Sequence, residues 1–328
     1  MNDPLDATRT MPDAARPPAA QDCAAVLVTY HPDIPVLARV LEATLPQVDR
    51  VIVVDNGSAA TLDEDLQAFL AAGHVTLRRL GRNYGVAYAH NRGLEEMLAA
   101  GYRWGLILDQ DSVPAPDMVE RLMRGSLAAT EAGTRVSAAG PRYVDPRNGH
   151  EQIFVGLGGW RFREIRFGGS GPDDVVPVDW LISSGMLISA AVLRDVGLMN
   201  ADLFIDEVDT EWCLRARHMG YQCICATGAV MAHTLGNATI RVWFKGIRHV
   251  PVHSPIRLYY MMRNGLLLAR MAHVPWRWWL PNLKRLAAQF VVFATMVRPR
   301  GRNLGMMLRG LVDGLRGVSG PHGDPGRH

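Results

Sequence analysis

Residues 104–112 read WGLILDQDS, and this stretch determines the fold that we predict. An apolar run of strand length ends in two carboxylates, Asp109 and Asp111. Residues i and i+2 of an extended segment project to the same side, so a strand end that becomes a loop directs both carboxylates into one pocket. Such hard oxygen ligands suit Mg²⁺ or Mn²⁺, which commonly bridge a carboxylate to a diphosphate. The alternative is an ordinary acidic turn held by loop hydrogen bonds.

Three similar apolar runs precede this stretch, at residues 23–30, 51–54 and 75–80, and segments of helical spacing separate them. Alternating helices and fully apolar strands are typical of a Rossmann-like, mostly parallel sheet with helices on both faces. The ligand crevice of such a sheet lies beyond the carboxyl ends of its strands. We therefore expect one site to be lined by the four strand ends, which are Thr29-Tyr30, Asp55-Asn56, Arg82-Asn83 and Asp109 to Asp111.

The chain contains neither a Walker loop nor a G-x-G-x-x-G motif, so the sequence does not support an ATPase or a dehydrogenase. Beyond the fourth strand, residues 144–176 are rich in glycine, and we predict that they are irregular. Residues 178–189 read as a strand, a turn of small residues and another strand, with a helix from Ala190 to Gly197.

A second acidic cluster lies in residues 203–217, LFIDEVDTEWCLRAR. Its carboxylates open a predicted helix, where negative charge complements the helix dipole. Capping does not need four of them, and carboxylates this close raise one another's pKa, which favours a general base among them. The four are Asp206, Glu207, Asp209 and Glu211. A lone His233 follows the next apolar stretch, and its spacing alone favours a structural histidine over a ligand.

Charge divides the chain into two parts. Residues 241–328 hold 15 Lys and Arg against two acidic residues, a balance of +13, whereas residues 1–240 have a balance of −10. The basic part contains the helical segment 257–270 and three indoles in residues 275–279, PWRWW. Tryptophan prefers the membrane interface and arginine pairs with anionic headgroups, so we predict a membrane-associating helical region; the alternative is a helical cap with core tryptophans. No recognition motif for nucleic acid is present.

We accordingly divide the chain into a disordered leader at residues 1–21, an α/β domain at 22–240 and the basic helical region at 241–328. The four cysteines fit neither a disulfide framework nor a zinc site, and we read them as reduced structural thiols of a cytosolic protein. We expect no signal peptide and no transmembrane helix.

Assembled, the motifs resemble the family 2 glycosyltransferases, and specifically their bacterial rhamnosyltransferase branch. The resemblance extends over about residues 24–270, with the pieces in the expected order. The matching pieces are VTYHP at 28–32, VVDNGS at 53–58, GRNYGVAYAHNRG at 81–93, LDQDS at 108–112, WLISSGMLIS at 180–189, LFIDEVDTEWCLRAR at 203–217 and YYMMRNG at 259–265.

The resemblance implies a GT-A fold and a role for each matching residue. Thr29, Tyr30 and Asp55 would hold the nucleobase and its sugar. The nucleoside and diphosphate side would be lined by Arg82, Asn83, Gly85 and Asn91. Asp109 would lie near the ribose, and the metal, Mg²⁺ or Mn²⁺, would be bound by Asp111 and, as in some relatives, His233. Asp209 takes the place of the catalytic base, with Glu211 beside it. The usual acidic pair reads Val208-Asp209 here, which leaves Asp206 and Glu207 as rival bases.

The implied reaction is an inverting transfer of L-rhamnose from dTDP-L-rhamnose to a lipid-anchored acceptor on the cytoplasmic face of the inner membrane. The acceptor is either a mono-rhamnosylated hydroxy fatty acid, as in rhamnolipid, or a lipid-linked saccharide of lipopolysaccharide biosynthesis. The alternatives are another nucleotide sugar, a non-catalytic nucleotide- or membrane-binding protein, and a nucleotidyltransferase. The last is disfavoured because residues 28–35, VTYHPDIP, contain neither glycine nor lysine.

Overall fold

The computed structural model of the chain describes residues 18–59, 61–145, 149, 151, 153–167, 171, 174–232, 239–243 and 247–323. Its strands are β1 (Cys23–Thr29), β2 (Arg50–Asp55), β3 (Val75–Arg79), β4 (Trp104–Asp109), β5 (Val113–Pro114), β6 (Val136–Val144), β7 (Phe154–Gly156), β8 (Arg163–Ile165), β9 (Val175–Val178), β10 (Met186–Ser189), β11 (Gln222–Ala232), β12 (Thr239–Trp243) and β13 (Ile247–Pro251). Its helices are α1 (Ile34–Thr44), α2 (Leu62–Asp65), α3 (Gln67–Ala71), α4 (Val86–Ala99), α5 (Met118–Glu131), α6 (Ala190–Val196), α7 (Val208–His218), α8 (Pro255–Leu268), α9 (Trp276–Thr295) and α10 (Arg300–Arg316).

Nine of the described strands form one sheet, in the order β3-β2-β1-β4-β10-β6-β11-β5 with β9 paired to β11. Strands β1 to β4 are mutually parallel, as are β6 and β11, while β10 runs antiparallel between β4 and β6. The mostly parallel α/β sheet that the sequence predicts is therefore confirmed.

The order of the strands fixes the position of the crevice. From β1 the chain proceeds to β2 and β3 on one side and returns to β4 on the other, so β1 and β4 flank the point where the order reverses. Ligands bind at this point in open α/β sheets. The register aligns Thr29 with Asp55 and Val28 with Asp109, which brings the carboxyl ends of the three strands to one edge. Fully buried Val, Leu and Ile side chains in β1, β2 and β4 stabilise this register.

The structure corrects three boundaries. Residues 18–21 of the predicted leader belong to a 3-10 helix, Pro18–Asp22, in which Ala20 is buried. The segment of helical spacing between β2 and β3 is not one helix, because it is interrupted at Leu66, which leaves α2 and α3. Residues 144–176 are not irregular throughout, because β7 and β8 form an antiparallel hairpin and β9 joins the main sheet. Strands of three or four residues give too short a pattern for sequence to show.

The C-terminal helices α8 to α10 have a small hydrophobic core of their own, and they also pack against the sheet. Leu268, Val274 and Trp278 belong to the same hydrophobic core as the sheet, and Trp279 packs against that core. The interpretation of the tryptophans as membrane anchors is wrong for these two, and the alternative of a helical cap with core tryptophans describes them. Within the described ranges, none of the helices combines the length and the apolar character needed to cross a bilayer.

Candidate active site

At the reversal point, the Gln110 side chain after β4 bridges to the backbone of Tyr30 after β1. The Tyr30 backbone N–H donates to Gln110 Oε1 (2.7 Å), and Gln110 Nε2 donates to the Tyr30 carbonyl (3.3 Å). The Tyr30 ring itself is half exposed and packs edge-on against His31. This places an aromatic ring at the mouth of the crevice, where a planar nucleobase could stack.

The neighbouring strand ends are held rigid by buried polar groups. Asp55 is almost fully buried and accepts from the Ser58 backbone N–H at both carboxylate oxygens (3.1 and 3.2 Å). The Thr29 hydroxyl donates to Asp55 Oδ1 (3.3 Å), and Arg79 lies 3.8 Å away. Thr29 and Asp55 thus lie together at the site edge, as predicted, with each contributing to the shape of the loop.

The segment after β3 forms the next side of the site. Asn83 Oδ1 accepts from Asn56 Nδ2 (3.0 Å) and from the Gly85 backbone N–H (2.9 Å), while the Arg82 guanidinium lies 4.5 Å from the centre of the Tyr84 ring. Gly85 has φ +91° and passes so close to Phe204 that a Cβ would lie 2.6 Å from the Phe204 carbonyl oxygen. Only glycine fits there.

Asn91 contacts a different part of the molecule from the other residues predicted to bind the donor. Its Nδ2 donates to the Met199 carbonyl and its Oδ1 accepts from the Met199 backbone N–H, both at 2.8 Å. The side chain therefore fixes α4 to the segment that precedes the acidic cluster. We assign Asn91 a positioning role rather than contact with the donor.

The two aspartates after β4 differ in exposure. Asp111 is exposed, whereas burial, and after it the charge of Asp111, raises the pKa of Asp109 to about 6. Two carboxylates one residue apart are a fitting pair for a divalent cation, whose remaining ligands are commonly water and phosphate oxygens. In the part of the chain that the structure describes, no group of three or more His, Cys, Asp or Glu side chains is placed to hold a metal ion. His233 lies outside the described residues.

The acidic cluster begins in a strained loop. Phe204, Asp206 and Glu207 all have positive φ, between +63° and +66°, a conformation that is rare for residues other than glycine and common at functional sites. Two fully buried side chains of α8 hold this loop. Asn264 Nδ2 donates to the carbonyls of Leu203, Ile205 and Asp206 (2.7–2.9 Å), and Arg263 donates to those of Asp202, Leu203 and Gly320.

The rival bases Asp206 and Glu207 are both paired with arginines of the C-terminal helices. Arg257 of α8 donates to both oxygens of Asp206 (2.8–3.2 Å), and Arg285 of α9 lies 2.5 Å from Glu207 Oε1. Burial lowers the pKa of Arg257, but the charges of Asp206, Asp109 and Asp209 raise it above its ordinary value. Arg257 therefore lies within the field of all three aspartates.

Asp209 differs from its neighbours in having no ion-pair partner among the described residues. Its Oδ2 accepts from the Ser183 backbone N–H (3.2 Å) and its Oδ1 from the Thr210 backbone N–H (2.7 Å). Burial, followed by the charges of Glu207 and Asp109, raises its pKa to about 6 despite those two hydrogen bonds. A fixed carboxylate with a pKa near neutrality is suited to accept a proton from a hydroxyl.

Glu211, which we predicted beside the base, has a different environment. Its carboxylate is buried, accepts from Arg215 Nε and Nη2 (3.0 and 3.2 Å) and lies 2.9 Å from His273 Nε2. Arg215 in turn donates to the carbonyls of Val196 and Leu198. This buried pair anchors α7 to the end of α6, so we assign Glu211 a structural role in place of the catalytic one.

Sequence reasoning missed the four residues of α8 and α9 that hold the acidic loop. They are Arg257, Arg263, Asn264 and Arg285. A signal for two of them exists, because Arg263-Asn264 is a polar pair within the otherwise apolar residues 258–268. Polar side chains in an apolar helix are buried only when they have partners.

Comparison with known proteins gives a consistent result. A model of the family described as Glycosyl transferase family 2 matches residues 25–187. The dTDP-rhamnosyl transferase RfbF of Shigella flexneri is 30% identical over 299 residues, which cover 90% of this chain and 96% of RfbF.

Two solved structures share the fold. TarS 1–349 of S. aureus, in complex with UDP-GlcNAc, matches with a TM-score of 0.54 at 13% identity, covering 90% of this chain and 81% of TarS. The mannosyltransferase PcManGT of Pyrobaculum calidifontis, in complex with GDP-Man and Mn²⁺, has a TM-score of 0.51 at 15% identity, covering 92% and 89%. These likenesses confirm the GT-A type of architecture that the motifs predict.

Proposed function

The chain belongs to glycosyl transferase family 2, and on that basis we propose that it transfers L-rhamnose from dTDP-L-rhamnose, with inversion, to a hydroxyl of a lipid-anchored acceptor. That it is a glycosyltransferase follows from its family. The donor is inferred from RfbF, a dTDP-rhamnosyl transferase whose similarity extends over 90% of the chain.

The observation that carries the proposal is the state of Asp209. Three carboxylates of the acidic cluster are paired with arginines, whereas the donors to Asp209 are two backbone N–H groups and the Thr210 hydroxyl, all uncharged, and its pKa is raised to about 6. Asp109, at the end of β4, raises that pKa further, so the base candidate lies within electrostatic reach of the crevice. A non-catalytic binding protein would not require such an arrangement.

The mechanism that we propose is a single displacement. Asp209 removes the proton of the acceptor hydroxyl while that oxygen attacks the anomeric carbon from the face opposite the diphosphate. Arg257 stabilises negative charge that grows on the departing side. Asp111, with Asp109 near the ribose, would hold Mg²⁺ or Mn²⁺; the ion, when bound, supplies charge stabilisation to the diphosphate. PcManGT was solved with Mn²⁺, which supports a divalent ion here.

The two C-terminal helices support the membrane part of the proposal. Large apolar side chains are exposed at intervals of three or four along α10, and others are exposed along α9. Arginines lie on α10 as well, at positions 300, 302, 309 and 316. A helix with exposed leucines and arginines is suited to an anionic membrane surface, so we place the enzyme at the cytoplasmic face of the inner membrane. The exposed residues are Leu283, Val291, Leu304, Leu308, Val312 and Leu315.

The proposal is tested by a screen of nucleotide sugars against lipid acceptors, with product detected by mass. We expect a rhamnosyl product from dTDP-L-rhamnose with Mg²⁺ or Mn²⁺, and we expect UDP- and GDP-sugars to react more slowly. Efficient transfer from a UDP-sugar together with no transfer from dTDP-L-rhamnose would contradict the donor assignment. If the protein binds nucleotide but neither hydrolyses nor transfers from any donor, the assignment as an enzyme is contradicted.

A further inference from the structure

A second cavity lies away from the residues assigned to the donor and the base. It encloses about 470 Å³ and is lined by Leu157, Arg163, Asp179, Arg217 and residues 275–277. Four separate segments meet there, namely the β7–β8 hairpin, the loop after β9, the end of α7 and the start of α9. None of these residues takes part in the mechanism above.

The walls of the cavity are fixed by specific contacts. Asp179 Oδ2 accepts from the Leu157 backbone N–H (2.6 Å), and Asp179 Oδ1 lies 2.7 Å from Arg217 Nη1. A Cβ on Gly156 would lie 2.7 Å from Asp179 Oδ2, so the hairpin approaches this closely only because residue 156 is glycine. At the hairpin tip, Lys284 Nζ donates to the Trp160 carbonyl (3.1 Å). The cavity is therefore preformed.

The lining combines positive charge with exposed aromatic surface. Three of its side chains are arginines and one is an aspartate. Asp179 is paired with Arg217, while no ion pair of Arg163 or Arg277 is found in the part of the chain that the structure describes. At the rim, the Trp160 and Trp276 rings are largely exposed, at 69% and 48%, and lie edge to face with centroids 6.4 Å apart.

These two features recognise different parts of one ligand. Guanidinium groups bind phosphate oxygens through paired hydrogen bonds. An indole face covers the apolar side of a sugar ring, and the polar rim leaves the ring hydroxyls in contact with water. Two unrelated surface features would each need its own explanation, whereas a sugar that carries a phosphate accounts for both.

Two helices connect the cavity to the base. Arg217 lies eight residues after Asp209 on α7, and Arg277 lies eight residues before Arg285 on α9. At 1.5 Å per residue each path is about 12 Å long. The α9 path ends at Arg285, which contacts Glu207, and Glu207 lies close to Asp209 in the chain. Both helices therefore give about the same distance between the cavity and the loop that carries the proposed base. An extended acceptor can therefore occupy the cavity with one end and reach Asp209 with the other.

We propose that this cavity is an acceptor subsite that binds a phosphate-bearing sugar, as at the phosphate end of a lipid-linked saccharide. The inference rests on the proposed function, because it concerns the acceptor of that reaction. Of the two acceptors considered above, it selects the lipid-linked saccharide over the rhamnolipid precursor, which carries no phosphate.

The test uses ³¹P NMR of N-acetylglucosamine 1-phosphate with the whole protein, in the presence of saturating dTDP and Mg²⁺ so that the donor site is filled. We expect the ³¹P line of the sugar phosphate to broaden on binding. Neutral N-acetylglucosamine should reverse this broadening only weakly. The double variant Arg163→Ala/Arg277→Ala should weaken binding by at least about tenfold, since charge-assisted hydrogen bonds are lost. Trp276→Ala should weaken the binding of the sugar phosphate but not the binding of inorganic phosphate. The control Arg124→Ala removes an exposed arginine of α5 and should change the binding of neither ligand.

Equal binding of the sugar phosphate to the wild type and to a folded double variant would overturn the subsite. Equal affinity for inorganic phosphate and sugar phosphate, unaffected by Trp276→Ala, would overturn the sugar part and leave a simple anion site. Calorimetric titration with dTDP of the same protein preparations, before any nucleotide is added, separates this inference from the proposed function. Normal dTDP binding without sugar phosphate binding removes only the subsite, whereas absent dTDP binding contradicts the nucleotide-sugar assignment itself.

Discussion

The two sides of the active site are held in place by different means. At the strand ends, Thr29, Asp55 and Asp109 are positioned by the register of adjacent parallel strands. The loop at residues 204–207 is positioned by Arg263 and Asn264, which lie more than fifty residues further along the chain. One side is therefore a product of the sheet, and the other depends on helices that the sequence alone assigned to a membrane. The basic C-terminal region therefore holds the loop that precedes the proposed base.

The largest effect is expected where the two sides meet. Asp209→Asn should lower transfer by at least about 100-fold because the variant cannot accept the acceptor proton. Its affinity for dTDP, measured by calorimetry, should stay unchanged, since the strand ends are intact. Asp117→Asn, an exposed carboxylate paired with Arg121, is the matched control. Turnover near normal in Asp209→Asn would remove Asp209 from its role.

The strand-end side is tested by Asp111→Ala. We expect metal-dependent binding of dTDP to weaken by at least about tenfold, because a carboxylate that would ligate the ion is lost. Titration of dTDP in the presence and absence of Mn²⁺ measures this directly. If the variant keeps the full metal dependence, Asp111 is an ordinary turn residue.

The contribution of α8 to the chemistry is tested by Arg257→Gln. This change removes a half-exposed positive charge beside Asp206, worth about 1 kcal/mol, so kcat should fall by about fivefold. Arg270→Gln is a suitable control because Arg270, on the same part of the chain, donates to carbonyls of residues 314 and 315 instead. An unchanged kcat for Arg257→Gln would confine Arg257 to holding the loop.

The remote support of the loop is tested by a pair of buried asparagines. Asn264→Ala removes the side-chain donor to the carbonyls of Leu203, Ile205 and Asp206, and Asn303→Ala removes comparable bonds to the carbonyls of Phe293 and Val297. Each should lower the free energy of unfolding by about 1–3 kcal/mol. Only Asn264→Ala should also lower kcat, by about threefold, because it displaces the catalytic loop. Equal kcat in the two folded variants would mean that the loop does not need this support.

The strand-end side could be read from sequence because its signals are local. Apolar runs such as residues 104–108 predict buried parallel strands, and the rule for parallel sheets then places the polar strand ends together. Asp209 and Glu211 show the limit of that reasoning. They are two residues apart at the start of one helix, yet Asp209 accepts only from uncharged donors whereas Glu211 is paired with Arg215. Which carboxylate is neutralised depends on tertiary contacts that spacing does not contain.

The different environments of the C-terminal tryptophans could not be predicted for a related reason. Tryptophan and arginine are common both at membrane interfaces and in buried polar networks, so composition alone does not distinguish Trp278 in the core from Trp276 at a cavity rim. The short hairpin β7–β8, which forms one wall of that cavity, likewise gave no periodic signal. Long-range packing decides both cases.

The dependence of kcat on pH, measured between about pH 5 and 8 for the wild type and for Arg257→Gln, tests the central claim most directly. Burial raises the pKa of Asp209 to about 6, and the base must be ionised to act. The wild-type kcat should therefore fall as pH drops below about 6 and reach a plateau above it. Loss of the Arg257 charge disfavours the ionised base, so the acid limb of Arg257→Gln should move to higher pH. If the wild-type kcat does not change with pH, Asp209 is not the base. If the kcat profiles of the wild type and Arg257→Gln coincide, the C-terminal helices do not influence the pKa of the base.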